Sequence, residues 1–155
     1  MKSIVPSLWF ADNSCQEAIE DYISVFPHSK INDLTLYPEE SLNEHFEGMA
    51  GKIINADFTL NGQRFIAIDG GPYFRFNEAI SFTIECEDQR EIDYYWERLS
   101  HDIEAEQCGW CRDRYGLSWQ IVPHNMAELS ETAGQIQAMM QMKKIIISEL
   151  EAARF

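Results

Sequence analysis

The sequence predicts an α+β fold in which two βαβββ modules follow one another and a long helix closes the chain. Three observations carry this reading. One order of elements, strand, helix, then further strands, is met twice along the chain. The strand segments alternate apolar and polar residues, the period of a sheet with two unlike faces. Asn61 and Gly62 between two such runs are the strongest short-range sign of a hairpin.

Residues 4 to 10, "IVPSLWF", read as the first strand, and residues 14 to 26 as a helix. Ser14 and Glu17 have capping-box spacing, and Ala18, Ile19, Tyr22, Ile23 and Phe26 share one face before Pro27 stops the helix. Residues 30 to 37 form a strand, residues 38 to 51 an acidic, flexible loop, and residues 52 to 60 and 64 to 69 the two arms of the hairpin. After "DGGPYFRFN" the order begins again, so that stretch is the joint between modules.

In the second module residues 78 to 86 are a strand and residues 88 to 100 a helix, with Asp88 and Glu91 at its start and Ile92, Tyr95, Trp96 and Leu99 on one face. Residues 104 to 113 and 117 to 123 supply further strands around a turn of Asp113, Arg114 and Gly116. Ser7, Leu8 and Phe10 match Ser81, Phe82 and Ile84, and Tyr22 matches Tyr95. Module one covers residues 1–72, module two 73–125 and the C-terminal helix region 126–155, all within a single domain. Residues 131 to 155 read as one long helix, its stripe of Ile136, Met139, Met140, Lys143, Ile146, Ile147 and Leu150 serving core or subunit contact.

Composition excludes several classes of function. Twelve Lys plus Arg against 26 Asp plus Glu give a net charge of −14, which repels nucleic acid and anionic lipid surfaces. The acids are scattered, as a solvated surface requires. The start "MKSIVPSLWFADN" meets a charge too soon for a signal peptide, and no segment approaches the roughly 20 apolar residues of a membrane span. A cytoplasmic location is expected, with Cys15, Cys86, Cys108 and Cys111 as reduced thiols.

Alternation splits the strands into two sets. Leu8, Phe10, Ile54, Phe58, Ile66, Ile68, Ile80, Phe82, Ile84, Trp119 and Ile121 are expected against the helices. Ser7, Trp9, Asn55, Asp57, Thr59, Ala67, Asp69, Ser81, Thr83, Ser118 and Gln120 form the opposite face. That face either meets water or lines a cavity, closed on its apolar side by Trp9, Tyr73, Phe74 and Phe76.

Taken together, "PSLWFADN" at the start, "DGGPYFRFNEAISF" at the joint, "CGW", "DRYGLSWQIVP" and the final "MMQMKKIII" resemble the PhnB-like branch of the vicinal oxygen chelate superfamily, over nearly the whole chain. The resemblance implies paired βαβββ modules in a cupped mixed sheet, the glyoxalase/bleomycin resistance/dioxygenase fold, and a homodimer. It also implies that metal-dependent members hold their ion from the first and last strand of each module. The matching positions here are Val5, Ala67, Ala79 and Gln120, and of these only Gln120 can ligate, with Asp57 and Asp69 as further donors. Relatives in this branch carry the label 3-demethylubiquinone 3-methyltransferase, which implies an S-adenosylmethionine site. Such a site needs a glycine-rich turn after a parallel strand, and the sequence has no G-x-G arrangement.

Other chemistry is weaker. Cys108 and Cys111 have redox-motif spacing, but in a strand they point to opposite faces and read as packing residues. His28, His45, His101 and His124 lie in loops. Asp12 and Asn13 lead into the first helix, and Asn77 and Glu78 end the joint. The expected function is binding of a small, partly aromatic or amphipathic organic molecule by Ser7, Trp9, Asp57, Asp69, Phe76, Asn77, Ser81 and Gln120. No metal site or cofactor is predicted, and catalytic residues are unknown. The rival is a divalent-metal lyase, isomerase or dioxygenase of the glyoxalase kind, using Gln120 and an aspartate.

Overall fold

Cys15, Ala18, Ile19 and Tyr22 are the buried residues of the first helix, α1 (Cys15–Val25), and their spacing gives the expected apolar stripe. Phe26 turns extended ahead of Pro27, as a residue before proline prefers. The computed structural model describes the whole chain, Met1 to Phe155, as two units, Met1–Arg75 and Phe76–Phe155.

In the first unit, β1 (Ser7–Phe10), β2 (Lys30–Leu36), β3 (Ile53–Leu60) and β4 (Gln63–Asp69) form one sheet in the order β1-β4-β3-β2. β1 runs parallel to β4, while β3 is antiparallel to both β4 and β2. Asn61 (φ 46°) and Gly62 (φ 82°) supply the two left-handed residues of the β3–β4 turn, so the hairpin forms where expected. β2 is an exposed edge strand broken by two register shifts. The segment after it is more ordered than a flexible loop. It makes two 3-10 turns, Glu40–Leu42 and Glu44–Phe46, with the Tyr37 and Phe46 rings edge to face at 5.6 Å.

The second unit holds a three-stranded sheet in the order β5-β7-β6, from β5 (Ser81–Cys86), β6 (Trp110–Arg112) and β7 (Ser118–Pro123). β5 is parallel to β7, and β6 antiparallel to it. The helix α2 (Gln89–Leu99) begins as expected: Asp88 accepts from the Glu91 N–H at 3.0 Å, and the Glu91 carboxylate accepts from the Glu87 N–H at 2.8 Å. Ile92, Tyr95 and Leu99 are its buried face. Each such residue contributes roughly 1.5–3 kcal/mol through burial.

The structure corrects several expectations in detail. The second module has two strands after its helix rather than three, because residues 103–105 form a 3-10 turn and Cys108 and Gly109 take φ of 51° and 84°. The long C-terminal helix is two helices, α3 (Ala133–Gln141) and α4 (Ile147–Ala152). Between them the chain is pulled straight: Cys108 and Gly109 donate N–H bonds of 2.8 Å to the carbonyls of Met142 and Lys143, and the Gln89 amide bonds both the Ile145 carbonyl and the Ile147 N–H. The buried residues there are Met142, Ile145 and Leu150, while the expected Ile136 and Met140 are exposed. Ser14 makes no side-chain cap on α1.

The sheet faces are also corrected. Ala56 and Phe58 pair with Ala67 and Phe65, and Leu8 and Phe10 with Ala67 and Asp69, so the buried face of β4 is Phe65, Ala67 and Asp69. Ile66 and Ile68 stand on the open face beside Ser7 and Trp9. Ile53, not Ile54, is buried, because the register shifts at Thr35 and Leu36. Ile80 precedes its strand and is exposed. No helix is long and apolar enough to cross a membrane.

Candidate functional site

The eight residues expected to bind ligand fall into three groups. Ser7, Trp9 and Asp57 share the open face of the first sheet, Ser81 and Gln120 share that of the second, and Phe76 and Asn77 begin the second unit. Asp69 belongs to none of these. It is 2% exposed on the helix-facing side, where Oδ1 accepts from the Cys15 N–H at 2.9 Å and Oδ2 from the Ile53 N–H at 3.0 Å. Its own carbonyl accepts from the Tyr37 hydroxyl at 2.7 Å. Asp69 is therefore a clasp joining the start of α1, the start of β3 and the segment after β2, not a ligand-facing group. The expectation failed because β4 is in the opposite phase to the one its isoleucines suggest.

On the first open face Asp57 is also engaged. Arg64 Nε donates to its two oxygens at 3.1 and 2.9 Å, and Asn32 Nδ2 donates to Oδ1 at 3.0 Å. The Arg64 guanidinium first, then Asn32, holds the Asp57 carboxyl below the usual carboxylate range. Trp9 is fixed by its own loop. Its Nε1–H donates to the Gly71 carbonyl at 2.9 Å, and its ring meets Phe74 edge to face at 4.8 Å. A Cβ on Gly70 would lie 2.1 Å from the indole, so glycine is needed there for the ring to lie on the backbone. The glycine pair in "DGGPYF" thus seats an aromatic wall beside Ile66 and Ile68.

The second open face is polar. Gln120 Nε2 donates to Ser81 Oγ at 2.9 Å, so these two act together. Ser118 pairs across the sheet with both Ser81 and Arg112, and Gln120 with both Thr83 and Trp110. Trp110 and Arg112 therefore stand on this face, and they were missed. The available signal was their i, i+2 placement around Cys111, which is 2% exposed on the opposite side. Arg112 donates from Nη2 to Asp102 Oδ2, and each partner holds the other in its charged form: the Asp102 carboxyl is pushed down and the Arg112 guanidinium up.

Three hollows flank β6. One of about 170 Å³ has Glu78, Glu104, Ala105, Trp110, Arg112 and Ser118 among its lining residues. A neighbour of about 370 Å³ shares Glu78, Ala105 and Trp110 with it and adds Gln107 and Cys108. The third, an open groove of about 510 Å³, includes His101, Asp102, Arg112 and Arg114. Phe76 is half-buried near the Gly116 turn, and Asn77 is exposed, its Oδ1 accepting from the Ala79 N–H at 2.9 Å as the end of a loop. Asp113 makes the expected turn: Oδ1 accepts from the N–H groups of Tyr115 and Leu117, and Oδ2 from the Trp119 indole at 2.9 Å.

No three His, Cys, Asp or Glu side chains converge, Ala67 is buried with no donor atom, and Gln120 is bonded to a serine. All four histidines are exposed. Burial is the main cause that pushes the thiols of Cys15, Cys86 and Cys111 up to about 12, which leaves them poor nucleophiles.

The family model described as 3-demethylubiquinone-9 3-methyltransferase matches residues 2–122. Among solved structures, a PhnB protein from Bacillus cereus is 32% identical, with a TM-score of 0.66 over 78% of this chain and 99% of that one. A protein from Pseudomonas aeruginosa is 17% identical, with a TM-score of 0.57 over 79% and 98% of the two chains. A gene product from Arabidopsis thaliana is 13% identical, with a TM-score of 0.51 over 78% and 98%. At those last two identities the likeness speaks for the fold alone. No curated protein matches the chain.

Proposed function

The chain belongs to the PhnB-like family of the 3-demethylubiquinone-9 3-methyltransferase model, with a glyoxalase/bleomycin resistance fold, and from that premise we propose that it binds a small organic molecule without a full set of metal ligands. The observation that carries the reading is the hydrogen-bonded pair of Ser81 and Gln120, on the same open face as Trp110 and Arg112 and beside the hollow at β6. Cavities that recognise small molecules combine an apolar wall with a few convergent polar groups. Here the wall is an indole and the polar groups of the hollow include a serine and a guanidinium, with the Ser81 hydroxyl and the Gln120 amide next to Ser118 on the same sheet face. On the first sheet Trp9, with Ile66 and Ile68, offers a second apolar surface.

A methyltransferase activity has little support in the chain. The helices that follow the strands β1 and β5, each paired in parallel, start after "ADNS" and "ED", with no glycine-rich turn to approach a cofactor and with acidic residues in the first turn. The reading also takes the protein as a cytoplasmic homodimer. Half-exposed Ile31, Leu34 and Leu36 on the edge strand β2 and four unpaired cysteines support it.

Native mass spectrometry on protein purified without chelators or a nickel column tests the reading. The expected result is a metal-free dimer carrying an organic mass that Gln120→Ala releases. About one divalent ion per chain would overturn it in favour of a glyoxalase-type metalloenzyme.

A further inference from the structure

The hollow of about 170 Å³ beside β6 gathers charges of both signs that do not meet. Arg112, Glu78 and Glu104 all line it. Arg112 gives one N–H to Asp102, and its guanidinium has further N–H groups to offer. It feels the Glu78 carboxylate but forms no ion pair with it. Glu104 bonds only through its backbone N–H, to Asp102 Oδ1 at 3.1 Å, so its carboxylate is also without a protein partner. Several basic groups elsewhere are held by an acid, as Arg64 is by Asp57, Lys144 by Asp93 and Arg154 by Glu131.

A void between opposite charges selects its occupant. An anion would be repelled by Glu78 and Glu104, and a cation by Arg112. A dipolar ion satisfies both sides. The Trp110 ring on the same wall adds a face that attracts an ammonium group. The adjoining hollow of about 370 Å³, which shares Glu78, Ala105 and Trp110 with it as lining, has room for an apolar side chain.

We propose that this cavity takes a zwitterionic amino carboxylate with an apolar side chain, its carboxylate on Arg112 and Ser118 and its ammonium between Glu78 and Glu104. The proposal rests on the binding reading above and names the class of ligand for that site.

Calorimetric titration of the full chain with three probes of one shape tests it: L-phenylalanine has both charges, 3-phenylpropionate only the carboxylate, and 2-phenylethylamine only the ammonium. L-Phenylalanine is expected to bind saturably and at least tenfold more tightly than either of the others. Arg112→Gln and Glu78→Gln should each weaken it tenfold or more. Because Arg112 also holds Asp102, Glu104→Gln provides a variant that breaks no protein contact, and it should weaken binding severalfold with an unchanged melting temperature. Equal affinity for a single-charge probe, or no effect of Glu104→Gln and Glu78→Gln, would overturn the proposal. So would failure of all three probes. If native mass spectrometry then still found an uncharged organic mass released by Gln120→Ala, the binding reading would stand and only the zwitterion would fall. An empty, metal-free protein that takes no probe would overturn both.

Discussion

In the first sheet the cross-strand row Ser7, Ile66, Asp57 runs over β1, β4 and β3, and in the second the corresponding row over β5, β7 and β6 is Ser81, Ser118, Arg112. Over these three strands the pairing is the same, and the chemistry is inverted. An aspartate stands where the other unit has an arginine, and an isoleucine where it has a serine. Arg64 from the neighbouring strand of the same hairpin closes off Asp57, whereas Asp102 takes only one N–H of Arg112. The repeat therefore sets where the rows stand, while the residues that fill them give the first unit an open face of isoleucines beside a closed Arg64–Asp57 pair, and the second a row of serines and an arginine with N–H groups to spare.

The buried sides show a second contrast. Each unit has an aspartate that collects backbone or indole N–H groups, but Asp69 reaches Cys15 and Ile53, 54 and 16 residues away, while the partners of Asp113 lie within 6 residues. One clasp holds a tertiary junction and the other a turn.

The largest expected effect breaks that contrast. Asp69→Ala orphans two buried N–H groups from separate elements and should cost about 3 kcal/mol or more in urea unfolding, with Asp113→Ala costing about 2 kcal/mol. A loss below about 1 kcal/mol for Asp69→Ala would mean that the clasp is not structural. Next comes Gly70→Ala, whose methyl group would collide with the Trp9 indole. It should cost about 2 kcal/mol and shift the tryptophan emission, and an unshifted spectrum would argue against the seated ring.

Gln120→Ala removes one half-buried hydrogen bond and should cost about 1 kcal/mol in stability, yet release bound organic mass. Asp57→Asn, on the first sheet, should leave that mass in place. If it released the mass as readily, the assignment of ligand contacts to the second unit would be wrong.

The smallest effect is acid sensitivity. Asp57 and Asp102 have carboxyls held below their unfolded values, so the stability they add is complete at neutral pH and is lost as pH falls below about 4 through their folded values. Both are half-buried at the surface, where solvent screens the pairs, and the change is correspondingly small. Melting temperatures between pH 6 and pH 3 should fall less steeply in Asp57→Asn and Asp102→Asn than in the parent, and parallel curves would remove these pairs from the acid limb.

Much of the site could be read from alternation alone. Ser81, Thr83, Ser118 and Gln120 share a face as expected, because β5 and β7 are regular and their pattern is unbroken. Trp110 and Arg112 escaped notice because β6 is only three residues long, too short for a period to declare itself. In β4 the pattern misled: Ile66 and Ile68 are the larger apolar residues, yet Phe65 and the small Ala67 are the ones that meet the core.

By itself the sequence determined the order of elements, the Asn61–Gly62 hairpin, the buried stripes of α1 and α2, and the Asp88 cap, because each depends on residues within a few positions of one another. Only the tertiary structure decided the phase of β4, the burial of Asp69, the break after Gln141 and the placing of Glu78 and Arg112 around one hollow. Those rest on contacts between distant parts of the chain, such as Cys108 N–H with the Met142 carbonyl, whose free energy outweighs local preference and leaves no mark in local pattern.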